Sequence, residues 1–397
     1  MGNTKKRPEE EVYEKYWKMT AGLTDIYSEE FSGCLKIIID YIDQNREEID
    51  QWSEKKGKVS SGQYYRGSNL YDNLVDLIRT YKKLEKDLDG TTSRKNINQY
   101  VKIGFIYPFL DGYHILAKQF VNAVTVQEKK VLFSKMFYEG ASFGSATTVD
   151  ARGFGEVRFL LNTMEQNRYL TLEDIVALMG VTDIFNVEKG FLNRDELHKK
   201  YLELVELGFI ERKYNQISHL RSMLNNFVDF KYLKKSKVFT FESDAEIESI
   251  LADEEIPEMY KRDAVKHRIY KEELKLESES IYGIQQCYVE KLPYKVLIAS
   301  HIKACGTCLR EQDEEQAYDV NNGLLLSPNI DSYFDKYDIS FDEEGKIMFG
   351  VRVHQKIRDR YVDFSLDKTV LNKKRLWYLD KHRKLFEKKQ KALKKNS

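Results

Sequence analysis

The sequence has few cysteines and few prolines, and it lacks any long apolar run. Four cysteines in 397 residues are too few for the disulfide framework of a small secreted protein. Five prolines, beside many Lys, Glu and Leu, favour helix. No stretch approaches the roughly 18 apolar residues of a membrane span, and the charged start lacks the apolar segment of a signal peptide. We therefore expect a cytoplasmic protein with reduced thiols and no membrane association.

The chain also lacks an overall charge, because 64 Lys and Arg balance 64 Asp and Glu. A protein of this kind that binds nucleic acid must segregate its positive charge. Residues 366–397 contain 12 Lys and Arg against 3 Asp and Glu, a net charge of +9. Residues 242–258 contain 8 acids and no base, which is typical of a linker or a solvated helix face. The charge is therefore segregated in the way that nucleic-acid binding requires.

The length of the chain predicts two or three domains. Residues 1–145 contain several amphipathic runs at helical spacing, and we expect a helical domain for recognition or dimerisation. Residues 146–241 predict a winged-helix-like DNA-binding region, and residues 242–280 a charged linker and helix. Residues 281–397 contain the chemistry-bearing motifs and end in the basic segment. The fold class predicted from this order is a multidomain α+β protein.

The winged-helix prediction depends on the order of elements in the middle region. Residues 171–180 predict a helix, with Thr171 as N-cap and Asp174 at the capping-box position. Residues 194–207 predict a second helix, residues 208–213 a strand and residues 214–218 a turn, with one more strand at 233–244. The second helix would lie in the major groove. A protein-binding winged helix and a plain helical bundle remain alternatives. The basic side chains expected near phosphates are Lys199, Lys200, Arg212 and Lys213.

A histidine follows one apolar strand and an asparagine pair precedes another in the C-terminal region. Residues 296–299 lead to His301, and Asn321 and Asn322 stand before the apolar run at 323–326. A neutral imidazole can accept a proton from water near neutral pH, so His301 is a candidate general base. Pro328 then opens a predicted helix.

Two aspartates on this predicted helix can hold a metal ion. Asp331 and Asp335 are four residues apart, so they point from the same helix face. Two such carboxylates suit one hard cation, Mg²⁺ or Mn²⁺, with positions left for water and phosphate. The cation would stabilise charge on a scissile phosphate and on the leaving 3′ oxygen. Each feature alone is common in ordinary structure, but their order together indicates a one-metal nuclease.

Residues from about 281 to the C-terminus resemble the HNH endonucleases, which have a ββα-metal fold. They are most similar to the branch found among bacterial type II restriction endonucleases. The resemblance implies that His301 is the general base and that Asn322 steadies the loop and orients the histidine. The matching segments are Cys287, ASHI at 299–302, NGLLLSPNID at 322–331, FDK at 334–336 and ISFDEEGKI at 339–347.

Two positions depart from the family's pattern. Asp331 stands where the motif has its third histidine, with Asp335 as its metal partner, and this favours a hard metal ion over nickel or zinc. Ser300 stands where many HNH enzymes place an acid or a second histidine just before the base, as a further metal ligand. Either the ligand set is smaller here or water completes it.

Three cysteines and a basic helix complete the candidate sites. Cys305 and Cys308, with Cys287 and a histidine, are an alternative structural zinc site, although such sites usually contain two cysteine pairs. Ordinary reduced thiols are the simpler interpretation. The segment at 372–397 predicts a helix with a dense positive face, on which Lys381 and Arg383 are expected to contact phosphate.

The resemblance implies a type II restriction-type endonuclease that cuts duplex DNA and leaves 5′-phosphate and 3′-hydroxyl ends. Its functional partner would be a cognate DNA methyltransferase, and a palindromic site would call for a homodimer. An HNH nuclease for phage defence or for modified DNA is one alternative. A non-catalytic DNA-binding regulator is the other.

Overall fold

The computed structural model divides the chain into two compact units, residues 1–249 and 250–397. The predicted boundaries at residues 145 and 280 fall inside these units and stay predictions, and the acidic run at 242–258 lies outside the described residues. None of the helices in the described part is both long and apolar enough to cross a bilayer. The described residues are 17, 25–53, 69–142, 155–181, 183–206, 210–234, 237–241 and 263–395, without the side chains of 52, 53, 210–216 and 395.

Helices dominate the described part of residues 1–145, as the sequence predicts. The first helix is capped by Ser28, whose hydroxyl accepts a hydrogen bond from the Phe31 backbone N–H. The Phe31 ring then packs against the buried rings of Phe105 and Phe120. The helices are α1 (Glu29–Gln44), α2 (Arg46–Ser53), α3 (Leu70–Tyr81), α4 (Thr91–Lys102), α5 (Ala117–Asn122) and α6 (Val126–Gly140).

Helices and a small antiparallel sheet make up the rest of the first unit. Thr171 and Asp174 form the predicted capping box at the start of one helix. The strand order is β1-β3-β2, so the last strand lies between the other two. The elements are α7 (Glu156–Asn167), β1 (Tyr169–Leu170), α8 (Leu172–Met179), α9 (Arg194–Glu206), α10 (Ile210–Leu224), β2 (Phe230–Leu233) and β3 (Val238–Phe241).

The predicted turn at 214–218 is wrong, and so is the predicted strand at 208–213 over residues 210–213. Residues 208 and 209 lie outside the described part of the chain. Residues 210–224 form the helix α10 instead. Ile217, Leu220 and Leu224 are buried at helical spacing on this helix. The helical spacing of these apolar residues continues well beyond the short apolar run that suggested a strand. The longer helical pattern therefore determines the structure.

The second unit contains the predicted strand, strand and helix in the predicted order. Strand β4 pairs antiparallel with β5, and Ser300 lies opposite Leu324 and His301 opposite Gly323. The elements are α11 (Ala264–Tyr282), β4 (Ile298–His301), α12 (Cys305–Arg310), α13 (Glu314–Ala317), β5 (Gly323–Leu326), α14 (Pro328–Phe334), β6 (Ile339–Phe341), β7 (Ile347–Phe349), α15 (Gln355–Tyr361) and α16 (Lys373–Lys395).

A fully buried arginine fixes the basic helix α16 to the rest of this unit. The Arg375 guanidinium binds both carboxylate oxygens of Glu277 on α11, at 3.1 and 2.8 Å. It also donates to the carbonyl oxygens of Val320 and Gly323, at 3.0 and 3.1 Å. A buried charge is tolerated only when it is paired in this way. The first turns of α16 therefore belong to the core.

The buried His382 holds the middle of α16 against its neighbours. Its ring stacks on Phe334 with the ring centroids 3.9 Å apart. Nε2 donates to the Phe334 carbonyl at 3.1 Å, so Nδ1 accepts the Ser340 hydroxyl at 2.9 Å. Burial lowers the pKa of His382 from 6.5 to about 4. The neutral imidazole is thus the form that fits the fold.

We expect this histidine to make the second unit less stable in acid. The unfolded chain binds the additional proton between pH 6.5 and about 4, so stability is full above this window and falls through it. The loss amounts to roughly 3 kcal/mol. Urea unfolding between pH 7.5 and 4 measures it. His382→Gln should show a shallower decline than both the wild type and His354→Gln, an exposed control. Equal declines in all three would contradict the assignment.

Candidate active site

His301 ends strand β4, and the structure determines which of its ring nitrogens can accept a proton. The imidazole stacks on the Tyr270 ring of α11, with centroids 4.6 Å apart and planes 16° apart. Nε2 lies 2.9 Å from the Ala317 carbonyl oxygen. A carbonyl only accepts hydrogen bonds, so Nε2 carries the proton and the lone pair of the neutral ring is on Nδ1.

Asn322 is fully buried and closes the loop that joins the two strands of the hairpin. Its amide nitrogen donates to the carbonyl oxygens of Lys303 and Gln316, each at 2.9 Å. Its amide oxygen accepts the Lys303 backbone N–H at 2.7 Å. The Asn322 carbonyl accepts the Ile302 N–H at 2.9 Å. One side chain therefore fixes the backbone that directly follows His301.

Asp319 supports the same loop from the side of α16, and the sequence interpretation missed it. Its carboxylate accepts hydrogen bonds from Lys374, Tyr378 and the Asn321 backbone N–H, at 2.9, 2.9 and 3.0 Å. Although burial opposes them, these bonds hold the pKa of Asp319 below its usual value. The only local sign of this role is an aspartate two residues before Asn321, as in an Asx turn.

The two aspartates lie on α14 as predicted, and Ser300 lies beside the first of them. Asp331 is half-buried and Asp335 is exposed. Burial is the main cause that raises the pKa of Asp331, and the nearby Asp335 carboxylate adds to it. Ser300 is buried and its hydroxyl makes no hydrogen bond of standard geometry, but it is close enough to lower the Asp331 pKa. A hydroxyl and two carboxylates thus occupy one face of the hairpin and helix.

The structure does not bring the three cysteines of the zinc hypothesis together. Cys287 packs in the main core of the second unit, where its sulfur accepts the Glu290 N–H at 3.4 Å. Cys305 and Cys308 pack in a separate small cluster beneath α12. Burial raises the pKa of the Cys287 and Cys308 thiols. Within the described residues, no three His, Cys, Asp or Glu side chains are grouped to share a metal ion.

The predicted DNA-contact residues on α16 have partners within the protein. The Lys381 ammonium lies 4.2 Å from the centroid of the Trp377 ring, a cation–π contact. Arg383 lies 3.6 Å from both Glu343 and Asp380. A phosphate contact by either side chain stays a prediction.

The predicted DNA-contact residues of the middle region lie on two different helices. Lys199 and Lys200 are on α9, where Lys200 pairs with Glu203 at 3.1 Å. Arg212 and Lys213 are on α10, and their side chains lie outside the described part of the chain. The sequence interpretation had placed these four residues on one helix and its following strand.

Residues 283–342 match the family model described as HNH endonuclease. This segment contains β4, β5 and α14, with His301, Asn322, Asp331 and Asp335 in the positions described above. A search of the curated proteins gives no match to this chain. The second unit therefore contains an HNH endonuclease domain, and the resemblance identified in the sequence is confirmed at that level.

We expect the loss of the Asn322 side chain to release the loop after His301. In Asn322→Ala, the Lys303 N–H and two carbonyl groups lose this partner. A buried backbone group left unpaired costs about 1–3 kcal/mol, so protection of the partly buried Lys303 amide should fall by about 1–3 kcal/mol. Hydrogen–deuterium exchange with mass spectrometry measures this protection. The exposed Asn329→Ala is the matched control. Unchanged exchange at Lys303 in Asn322→Ala would show that the Asn322 hydrogen bonds are not needed to hold this loop.

Proposed function

We propose that this protein is a metal-dependent endonuclease of restriction type that hydrolyses phosphodiester bonds in duplex DNA. The observation that carries the proposal is the tautomer of His301. Its Nε2–H donates to the Ala317 carbonyl, so the basic nitrogen is Nδ1. Ser300, the residue before His301 on β4, lies close to Asp331. This arrangement lies within the segment that matches the HNH endonucleases.

In the proposed reaction, His301 acts as the general base. Nδ1 accepts a proton from a water molecule whose oxygen forms the new bond to phosphorus. The bond between phosphorus and the 3′ oxygen breaks, and the leaving oxygen takes a proton from solvent. The products are a 5′-phosphate and a 3′-hydroxyl. Asn322 fixes the backbone after His301 and so holds the imidazole during the proton transfer.

The donor groups on α14 and β4 fit a hard divalent cation. HNH nucleases generally use a divalent metal ion. Asp331 and Asp335 would hold it, with the Ser300 hydroxyl beside them and water in the remaining positions. Mg²⁺ commonly binds through one or two carboxylates and keeps several waters, and Mn²⁺ accepts a similar set. When bound, such an ion stabilises charge on the scissile phosphate and on the leaving oxygen.

We propose that the first unit supplies the recognition of DNA. The order α7, β1, α8, α9, α10, β2, β3 with the sheet order β1-β3-β2 supports the winged-helix prediction for residues 146–241. Residues 1–145 would add recognition or dimerisation. A homodimer would match a palindromic site. A cognate methyltransferase would protect host DNA in the cytoplasm.

Digestion of unmethylated phage DNA in Mg²⁺ tests the proposed function. Wild type and Asp363→Ala, which removes an exposed aspartate outside the site, should give the same discrete fragments. Asp331→Ala should cut DNA at least about 100-fold more slowly than the wild type. The fragments should ligate without prior phosphorylation, because they carry 5′-phosphates.

The other outcomes identify the alternatives. A smear instead of discrete fragments would contradict site specificity and indicate a nonspecific effector nuclease. Binding of unmodified DNA without cutting would contradict the proposal, and modified DNA would then separate a modification-dependent nuclease from a regulator.

A further inference from the structure

The helix α10 and the hairpin β2–β3 form the most basic part of the winged-helix-like region. Residues 210–241 contain seven Lys and Arg against two Asp and Glu, a net charge of +5. The sequence interpretation placed helix α9 in the major groove. This helix contains three Lys and Arg against four Asp and Glu, a net charge of −1. DNA binding depends on unneutralised positive charge. The charge balance thus favours α10 over α9.

The two helices also differ in how their cations are used. On and beside α9, Arg194 binds Asp174 at 2.6 Å, Lys189 binds Glu196 at 3.1 Å, and Lys200 binds Glu203. These ion pairs neutralise three of the four cations on and beside α9, and only Lys199 has no ion pair among the described residues.

By contrast, three exposed cations of α10 and the hairpin have no acidic partner within the described part of the chain. Arg221, Lys234 and Lys237 are exposed, and no carboxylate of the described residues lies within ion-pair distance of them. The Arg221 guanidinium instead lies 5.1 Å from the centroid of the Tyr232 ring. This contact orients the guanidinium without cancelling its charge.

A cleft of about 200 Å³ separates the helix from the hairpin. Arg221 and Ser218 of α10 form one wall, and Tyr232 of β2 and Lys237 just before β3 form the other. Lys234 stands at the other end of the turn that joins the two strands. Cations therefore flank the cleft on the helix and on the hairpin.

We propose that duplex DNA binds across this surface, with Arg221, Lys234 and Lys237 contacting phosphates and α10 lying against the major groove. A helix can enter the major groove of a duplex, and a two-stranded ribbon can also contact a groove, so a helix followed by a hairpin suits this partner. The inference rests on the proposed function, because a nuclease that selects sites must hold DNA beyond its reaction centre. It assigns the contact to α10 and the hairpin, and not to Lys199 and Lys200 of α9.

Fluorescence anisotropy with a labelled 30-base-pair duplex tests this surface. The protein is the full chain with Asp331→Ala and no divalent cation, so that the probe is not cut. Arg221→Gln, Lys234→Gln and Lys237→Gln are combined in one variant. Each lost phosphate contact lowers the slope of log affinity against log salt by about 0.9, so the slope should fall by about 2 to 3 and affinity by tenfold or more.

The matched control combines Lys189→Gln, Lys199→Gln and Lys200→Gln, which removes the same charge from the α9 side. Its affinity should stay within about twofold of the parent. Circular dichroism verifies the fold of both variants. An equal loss in both variants, or a loss only in the control, would overturn the inference.

Plasmid cleavage with Asp331 intact separates the proposed nuclease activity from the proposed DNA contact by α10 and the hairpin. If the wild type cuts DNA and the α10 variant binds as the parent does, the nuclease proposal stands and this surface serves another partner, such as an acidic protein. If the wild type neither binds nor cuts DNA, both proposals fail.

Discussion

The buried amide of Asn322 is the constraint on which the candidate site depends. It satisfies three backbone groups at once, two at Lys303 and one at Gln316. Asn322 is fully buried and these groups are only partly accessible to water, so leaving them unpaired would be costly. The loop therefore closes in one way. This closure places Ala317 opposite the His301 ring and leaves Nδ1 as the basic nitrogen.

The C-terminal helix α16 connects this loop to the rest of the second unit through buried polar contacts. Arg375 binds Glu277 and the carbonyl of Gly323 at the start of β5, and Asp319 is held by Lys374 and Tyr378. The helix is thus a structural part of the second unit, although its composition is that of a basic tail. Because its inner face is fixed by buried polar groups, its position cannot shift without loss of those bonds.

The elements around the site could be predicted because their sequence signals are local. Two apolar runs and Pro328 give the hairpin and helix directly. The role of Arg375 could not be predicted, because a buried arginine and a solvated one look the same in a run of basic residues. Helix α10 was missed because the short apolar run at its start suggests a strand, and only the longer spacing of Ile217, Leu220 and Leu224 indicates a helix. Likewise, the ion pairs of the structure, and not the sequence, show that Arg194 and Lys200 of α9 are neutralised by carboxylates.

The central claim is that His301 takes the proton from the attacking water, and chemical rescue tests it most directly. Plasmid cleavage in Mg²⁺ is measured for the wild type and for His301→Ala, with and without added imidazole. The account predicts a loss of about 100-fold or more in His301→Ala, partly restored as neutral imidazole is added. Cleavage by His301→Ala at the wild-type rate without imidazole would contradict it.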